Sequence, residues 1–236
     1  LYCNSSKTHA RGWRDPSLYA CSQNFVIAVN DANPHSDKRI PGTSFIAQAG
    51  SNEPGAGDWC GSARGSCDTD FTDGGVQVSV ETWTKNVGDI EGLTGRNLGL
   101  GGCQVTAAGT CTSPMGTAYT VTNLGRVIQT GRDNSYLVAG LSYYAHMSDL
   151  RPDLAAKQNL TTYMIDTQEP QNNMVVGPRN MLYLAAKYGG FEDKDENGRP
   201  YLNASCGGVS ASPNVLCSEW DADNDGSPDN YFFASD

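Results

Sequence analysis

The 236-residue sequence has few positive charges and no long hydrophobic run. It contains 16 Lys and Arg against 26 Asp and Glu, which gives a formal net charge of −10. Proteins bind the nucleic-acid backbone through Lys and Arg, so this charge argues against a nucleic-acid-binding protein. No transmembrane run, signal peptide or lipidation motif is found. The sequence begins at Leu1 without an initiator Met, and we interpret it as a piece of a longer secreted protein.

Catalytic motifs are also missing from the sequence. It contains neither GxSxG nor HExxH, and the glycine cluster GLTGRNLGLGG lacks the Lys-Ser/Thr of a P-loop. His146 falls on a predicted amphipathic helix, where a boundary residue is expected rather than a catalytic base. The residues therefore give little support to a catalytic function. A secreted hydrolase remains an alternative, and a pair of acids with separated pKa values in a deep pocket would favour it.

The cysteines do not form any CxxC motif, and the three histidines do not have zinc-finger spacing. The eight cysteines instead fall in four pairs that are close in the sequence: Cys3 with Cys21, Cys60 with Cys67, Cys103 with Cys111, and Cys206 with Cys217. An oxidised framework that closes short loops predicts an extracellular protein. Eight cysteines allow about 105 pairings, so pairing between neighbours is one option among many.

The order of elements predicts an α/β fold. Residues 25–29 form an apolar, β-branched run, which is typical of a strand buried on both faces of a parallel sheet. A second apolar strand is predicted at 160–165, ending at Asp166. The alternating segment VQVSVETW (residues 76–83) predicts a half-buried strand.

Two helices are predicted beside these strands. The first runs from about Ser135 to Leu150 and precedes Pro152. Its expected buried positions are Leu137, Leu141, Tyr144 and Met147. The second lies in PRNMLYLAAKYGGF, with Pro178 at its start and a Gly-Gly stop at 189–190. Strands that alternate with helices favour a parallel sheet.

The sharpest local signal is DADNDGSPD, residues 221–229, which we call the C-terminal acidic loop. Carboxylates stand at Asp221, Asp223, Asp225 and Asp229, and Ser227 can add a backbone carbonyl. Calcium takes about six to eight oxygen ligands, and alternate carboxylates in a curled loop supply them. The distal Glu of an EF-hand is replaced by Phe232, so a short calcium loop is predicted. The alternative is a solvated acidic turn.

A weaker candidate is DKDENGRPY, residues 193–201, which we call the upstream acidic loop. Asp193, Asp195 and Asn197 occupy the alternate positions before Gly198, and Tyr201 stands at the ninth position. With fewer carboxylates, this loop should bind calcium more weakly or need donors from elsewhere.

Asp31 is a third candidate, because it follows the first apolar strand. Open α/β sheets place ligands at the carboxyl ends of their strands. A lone acid at a strand end is more often a helix cap or a hydrogen-bonded loop residue.

Several segments in order resemble a known family. They are CSQNFVIAVNDANP, GLSYYAHMSDLRPDL, TTYMIDTQEP, YLAAKYGGFEDKDENGRP and SEWDADNDGSPDNYFFA. Together they resemble the type IV pilus tip-associated adhesins, the PilC/PilY family, over most of the chain except near residues 40–75 and 100–118. The resemblance implies a non-enzymatic protein of pilus assembly, adhesion or surface sensing, located outside the cell, at its surface or at the pilus tip.

The resemblance also implies part of an N-terminal von Willebrand factor type A-like region, a three-layer α/β sheet. Asp31 would then match the acid of the third metal-coordinating loop. The Asp-x-Ser-x-Ser opening of a complete adhesion site does not follow an apolar strand here, so such a metal would need ligands from a missing segment. We expect an incomplete type A-like domain over residues 1–190, with insertions at about 35–75 and 86–118, and a calcium-loop extension over 191–236.

The expected cofactor is therefore Ca²⁺, in a structural role. The expected partners are minor pilin subunits or missing parts of the same protein. A structural subunit of an extracellular filament remains an alternative, because an incomplete sheet leaves an unpaired edge.

Overall fold

The computed structural model describes residues 19–30, 72–73, 76–95, 97–99, 118–126, 136–167, 181–202 and 218–234. Within these ranges the helices are α1 (Val80–Ile90), α2 (Leu137–Met147) and α3 (Met181–Gly190). The strands are β1 (Asn24–Asn30), β2 (Thr72–Asp73), β3 (Val76–Gln77), β4 (Asn97–Gly99), β5 (Ala118–Thr120), β6 (Leu160–Asp166) and β7 (Tyr231–Phe233).

A parallel three-stranded sheet with the order β1-β6-β7 organises the fold. β1 runs parallel to β6 over its whole length, from the pair Asn24 and Leu160 to the pair Asn30 and Asp166. β7 extends the sheet in parallel on the other side of β6. The predicted α/β class and the parallel arrangement of the two predicted strands are confirmed. Strand β7 was not predicted.

Helices α2 and α3 pack on each other and on β6. Gly189 of α3 lies so close to the sheet that an added Cβ would be 2.7 Å from Thr162 Cβ. The core between these layers contains Tyr143, Met164, Leu184 and Tyr188. Both predicted helices and the predicted strand at 160–165 are therefore confirmed.

The strand β1 corrects one expectation, because its side chains are not buried on both faces. Phe25, Ile27 and Val29 are between 54% and 67% exposed. The parallel register pairs Ala28 with Met164, a core residue. Side chains alternate along a strand, so Phe25, Ile27 and Val29 face away from the core that contains Met164.

The predicted strand over residues 76–83 is also wrong beyond its first two residues. β3 ends at Gln77, and α1 begins at Val80 after Ser79, whose hydroxyl accepts a hydrogen bond from Thr82 N at 3.3 Å. Val80, Thr84 and Val87 are fully buried, at the spacing of one helix face. The alternation of apolar and polar residues suggested a strand, although Ser79 is a typical helix N-cap residue and the buried positions that follow it have helical spacing.

Helix α2 buries Leu137 as predicted, and Tyr144 and Met147 pack partly buried against the core, but the fourth predicted position does not. Leu141 is exposed, whereas Gly140 lies against α1. A Cβ on Gly140 would come within 2.0 Å of Thr84 Oγ1 and 2.8 Å of Val80 O, so the two helices cross at a contact that only glycine permits. The absence of a side chain therefore marks the centre of this helix interface.

Most of the predicted insertions and cysteines lie outside the described residues. Of the eight cysteines, Cys21 is described, and it is exposed. Its predicted partner, Cys3, and the other three pairs lie outside the described residues. At the start of the predicted 86–118 insertion, Val87, Ile90 and Leu93 belong to the hydrophobic core.

Candidate metal centre

The C-terminal acidic loop folds around the carboxylate of Asp221. This buried side chain accepts hydrogen bonds from Asp225 N at 3.1 Å through Oδ1 and from Gly226 N at 2.9 Å through Oδ2. One carboxylate oxygen from each of Asp221, Asp223 and Asp225 lies within 4.8 Å of the others. The loop therefore gathers three of the predicted ligands at one point.

Two left-handed residues give this loop its curvature. Asn224 has φ of 63° and Gly226 has φ of 85°, a region that glycine and asparagine enter more readily than other residues. The carbonyl of Gly226 accepts a hydrogen bond from the Tyr183 hydroxyl at 3.0 Å. Since Tyr183 lies on α3, this bond fixes the loop to the helix layer.

The other two predicted ligands of this loop have different surroundings. Asp229 accepts the amide of Ala222 with both carboxylate oxygens at 3.1 Å, and it is not among the three clustered carboxylates. Ser227 donates its amide to Asp225 Oδ1 at 2.7 Å. The structure thus uses Asp229 to close the loop.

The upstream acidic loop repeats the conformation of the C-terminal acidic loop. Glu196 and Gly198 have φ of 55° and 75°, at the positions that correspond to Asn224 and Gly226. Gly198 donates its amide to Asp193 Oδ2 at 3.0 Å, as Gly226 does to Asp221. The Tyr143 hydroxyl donates to Gly198 O, as Tyr183 does to Gly226 O. The sequence similarity of the two segments therefore extends to their backbone and their anchoring.

The two loops differ at the third ligand position. Asn197 stands where the other loop has Asp225; its Oδ1 accepts Arg199 N at 2.7 Å and its Nδ2 donates to Tyr201 O at 2.7 Å. The predicted ligand Asn197 is therefore engaged within its own loop. The missing carboxylate comes from Glu219, since oxygens of Asp193, Asp195 and Glu219 lie within 4.8 Å of one another.

Glu219 was not predicted as a site residue. It is 5% exposed, and its Oε1 accepts the amide of Lys194 at 2.6 Å. Burial raises the pKa of Glu219, and the negative charges of Asp195 and Asp193 add to this effect. Its position next to Trp220-Asp221 was a weak signal in the sequence, because 17 residues lie between it and the end of the upstream loop.

A buried polar network joins both loops to the helices. Lys187 Nζ lies 2.9 Å from Glu91 Oε1 and donates to the Tyr201 hydroxyl. The same ammonium lies 4.3 Å from the ring centroid of Trp220. Tyr201 ends the upstream loop and Trp220 precedes the C-terminal loop, so this network links the position of both loops to α1 and α3.

The donor sets suit a hard cation. Each cluster offers three carboxylates, and backbone carbonyls and water complete such sites in calcium-binding proteins. Three carboxylates this close repel one another unless a cation compensates their charge. Asp31 lies outside the described residues, so the structure does not bring it to either cluster.

Comparison with known proteins finds a similarity to a curated protein that is much longer than this chain. The chain is similar to the "Type IV pilus biogenesis factor PilY1 homolog" of Xylella fastidiosa strain Temecula1, with 27% identity over 198 residues. The alignment covers 82% of this chain and 14% of that relative's length. No protein-family model matches the chain, and no solved structure matches it.

In the described part of the chain, no helix has the length and apolar character that crossing a membrane requires.

Proposed function

We propose that this chain is a calcium-binding part of a type IV pilus-associated protein that acts outside the cell, at its surface or at the pilus tip. The similarity to a PilY1 homologue supports the pilus association. The acidic composition and the cysteine pattern support an extracellular location. Its role is in assembly or adhesion and is not enzymatic.

One observation carries the calcium assignment: the C-terminal acidic loop holds Asp221, Asp223 and Asp225 with oxygens within 4.8 Å. Asp223 and Asp225 are exposed, so an ion can enter from solvent. A carboxylate oxygen that accepts one amide keeps a further lone pair for an ion. Ser227 and Asp229 complete the proposed site, and Asp193, Asp195 and Asn197 belong to the weaker upstream site.

Calcium would act structurally. Binding to the folded state alone, at a free concentration about a hundredfold above Kd, stabilises a fold by about 2.7 kcal/mol. Because the loops contact α3 and α2 through Tyr183 and Tyr143, that stabilisation would reach the helix layer. The loops would then order the segment that leads into β7.

The finer fold assignment is a type A-like region with disulfide-closed insertions. The parallel sheet and the helices α2 and α3 are compatible with it. Asp31 would follow β1 at the carboxyl edge of the sheet, where its ligand partners would come from another part of a longer protein. The proposed partners are minor pilin subunits or other parts of the same protein.

The experiment is thermal unfolding of the full chain in calcium and in chelator. The parent should melt at a clearly higher temperature in calcium. The variant Asp223→Asn/Asp225→Asn should lose most of that difference, while Asp153→Asn, which removes an exposed carboxylate paired with Arg151, should retain it. Equal melting temperatures of the parent in both conditions would refute calcium binding.

A second candidate is a structural subunit of an extracellular filament. The exposed apolar side chains of β1, Phe25, Ile27 and Val29, favour it, because exposed apolar patches mark interaction surfaces. Sedimentation of the full chain distinguishes the two: concentration-dependent self-association supports a filament subunit, and a monomer at all concentrations argues against it.

A further inference from the structure

The cluster at the upstream acidic loop contains two buried carboxylate oxygens to which no hydrogen bond is donated in the described part of the chain. Glu219 Oε2 and Asp193 Oδ1 are both buried, and neither has a hydrogen-bond partner in the described part of the chain. The other oxygen of each group is occupied, by Lys194 N and Gly198 N respectively. Each carboxylate is thus held in place by one oxygen while the second remains unsatisfied.

A buried charge without compensation is costly, so such oxygens need a proton, a water or a cation. A third carboxylate, Asp195, contributes an oxygen within 4.8 Å of both groups. Three acidic oxygens this close together form a donor set that suits a divalent cation.

We propose that Glu219 completes a second calcium site with Asp193 and Asp195, so that the chain binds two calcium ions. This deepens the proposed function and rests on it, because the first ion occupies the C-terminal acidic loop. Glu219 replaces the charge that the upstream loop lacks at Asn197. Each site then contains three carboxylates, in spite of the different loop sequences.

The segment Glu219-Trp220-Asp221 supplies a ligand to each site. Its backbone is bonded to both loops: Glu219 N donates to Pro200 O at 3.3 Å, and Asp229 N donates to Trp220 O at 3.0 Å. An ion at the Glu219 site would therefore tie the upstream acidic loop to the segment that carries Asp221. We expect the second ion to clamp the upstream loop onto the C-terminal loop.

The first test is the number of ions bound to the full chain, measured by native mass spectrometry in calcium acetate. The parent should bind two ions, Glu219→Gln one, and Asp223→Asn/Asp225→Asn one. Glu196→Gln is the matched control: it removes a carboxylate of the upstream loop outside the cluster and should leave two ions. If Glu219→Gln itself does not fold, Asp195→Asn provides the same test at a half-exposed position.

The second test is the sign of the stability change of Glu219→Gln. In chelator this variant should melt at or above the parent temperature, because it removes an uncompensated buried charge. In calcium it should melt below the parent. A purely structural glutamate would lower the melting temperature in both conditions, and that result would overturn the proposal.

The outcomes separate this proposal from the proposed function. One ion in the parent, lost in Asp223→Asn/Asp225→Asn, would overturn the second site and leave the first intact. Two ions in Glu219→Gln would exclude Glu219 as a ligand. Binding of no ion by the parent would overturn both.

Discussion

Lys187 Nζ lies 2.9 Å from Glu91 Oε1, and the two side chains are 3% and 9% exposed. Glu91 is the C-cap residue that follows α1, and Lys187 lies on α3. Glu91 also accepts a hydrogen bond from Tyr188 at 2.8 Å and one from Tyr201 at 3.1 Å. This pair therefore sits where two helices meet the upstream acidic loop.

Removal of one partner of this pair should be strongly destabilising. Lys187→Met leaves the Glu91 carboxylate buried without a counter-charge, and breaking a buried pair in this way costs about 3–5 kcal/mol. The double variant Lys187→Met/Glu91→Gln should lose less than the sum of the single variants. Urea denaturation of the parent, Lys187→Met, Glu91→Gln and the double variant gives the four free energies of unfolding to compare.

The exposed pair Lys85 and Asp89 on α1 is the matched control. Its removal by Lys85→Met should cost at most about 1 kcal/mol, because solvent screens it. Equal losses for Lys187→Met and Lys85→Met would contradict the account of the buried network.

The close approach of α1 and α2 makes Gly140 intolerant of a side chain. Gly140→Ala places a methyl group 2.0 Å from Thr84 Oγ1 and 2.8 Å from the Val80 carbonyl. Overpacking typically costs about 1–3 kcal/mol, and here backbone must move. The change should appear as a lower urea midpoint, whereas Leu141→Ala at the adjacent exposed position should change it little. A midpoint unchanged by Gly140→Ala would show that the helices do not cross here.

The left-handed backbone at Gly226 should matter for calcium binding. Gly226 has φ of 85° and no atom within 4 Å of an added Cβ, so Gly226→Ala tests the backbone conformation alone. The penalty for a left-handed alanine is about 1–2 kcal/mol. We expect weaker calcium binding. The affinity should fall about tenfold for each 1.4 kcal/mol by which the strain destabilises the calcium-bound loop, and calorimetry measures it.

Gly95 provides the control for that substitution. It has φ of 84° and the same open space around an added Cβ, but it lies outside both acidic loops. Gly95→Ala should lower stability by a similar amount and leave calcium affinity unchanged. A similar loss of affinity in both variants would mean that the conformation of Gly226 has no specific role.

His146 should make the fold less stable in mild acid. Burial lowers its pKa, although hydrogen bonds to the carbonyls of Phe191 and Leu160 oppose this effect. Because the folded pKa lies below the unfolded value of about 6.5, the unfolded chain takes up the proton first, and stability falls as pH drops through that value. Urea denaturation in chelator between pH 7.5 and pH 5 should show this decline, with a smaller slope in His146→Asn. An identical slope in the variant would contradict the assignment.

Local patterns predicted α2, α3, β6 and the acidic loops, because each has its period or its ligand spacing within one short segment. The same approach failed for α1, where Val76 and Val78 hid a helix that begins at Val80. It also failed for the burial of β1, since the exposure of Phe25 and Ile27 depends on which layers cover the sheet. Glu219 shows the same limit in the site, because its contact with Asp193 arises from tertiary folding.

Calorimetric titration of the full chain with calcium tests the central claim most directly. The account predicts saturable binding whose tighter component disappears in Asp223→Asn/Asp225→Asn and persists in Asp153→Asn. Absence of binding heat at several temperatures, or binding that survives in Asp223→Asn/Asp225→Asn, would contradict a calcium site in the C-terminal acidic loop.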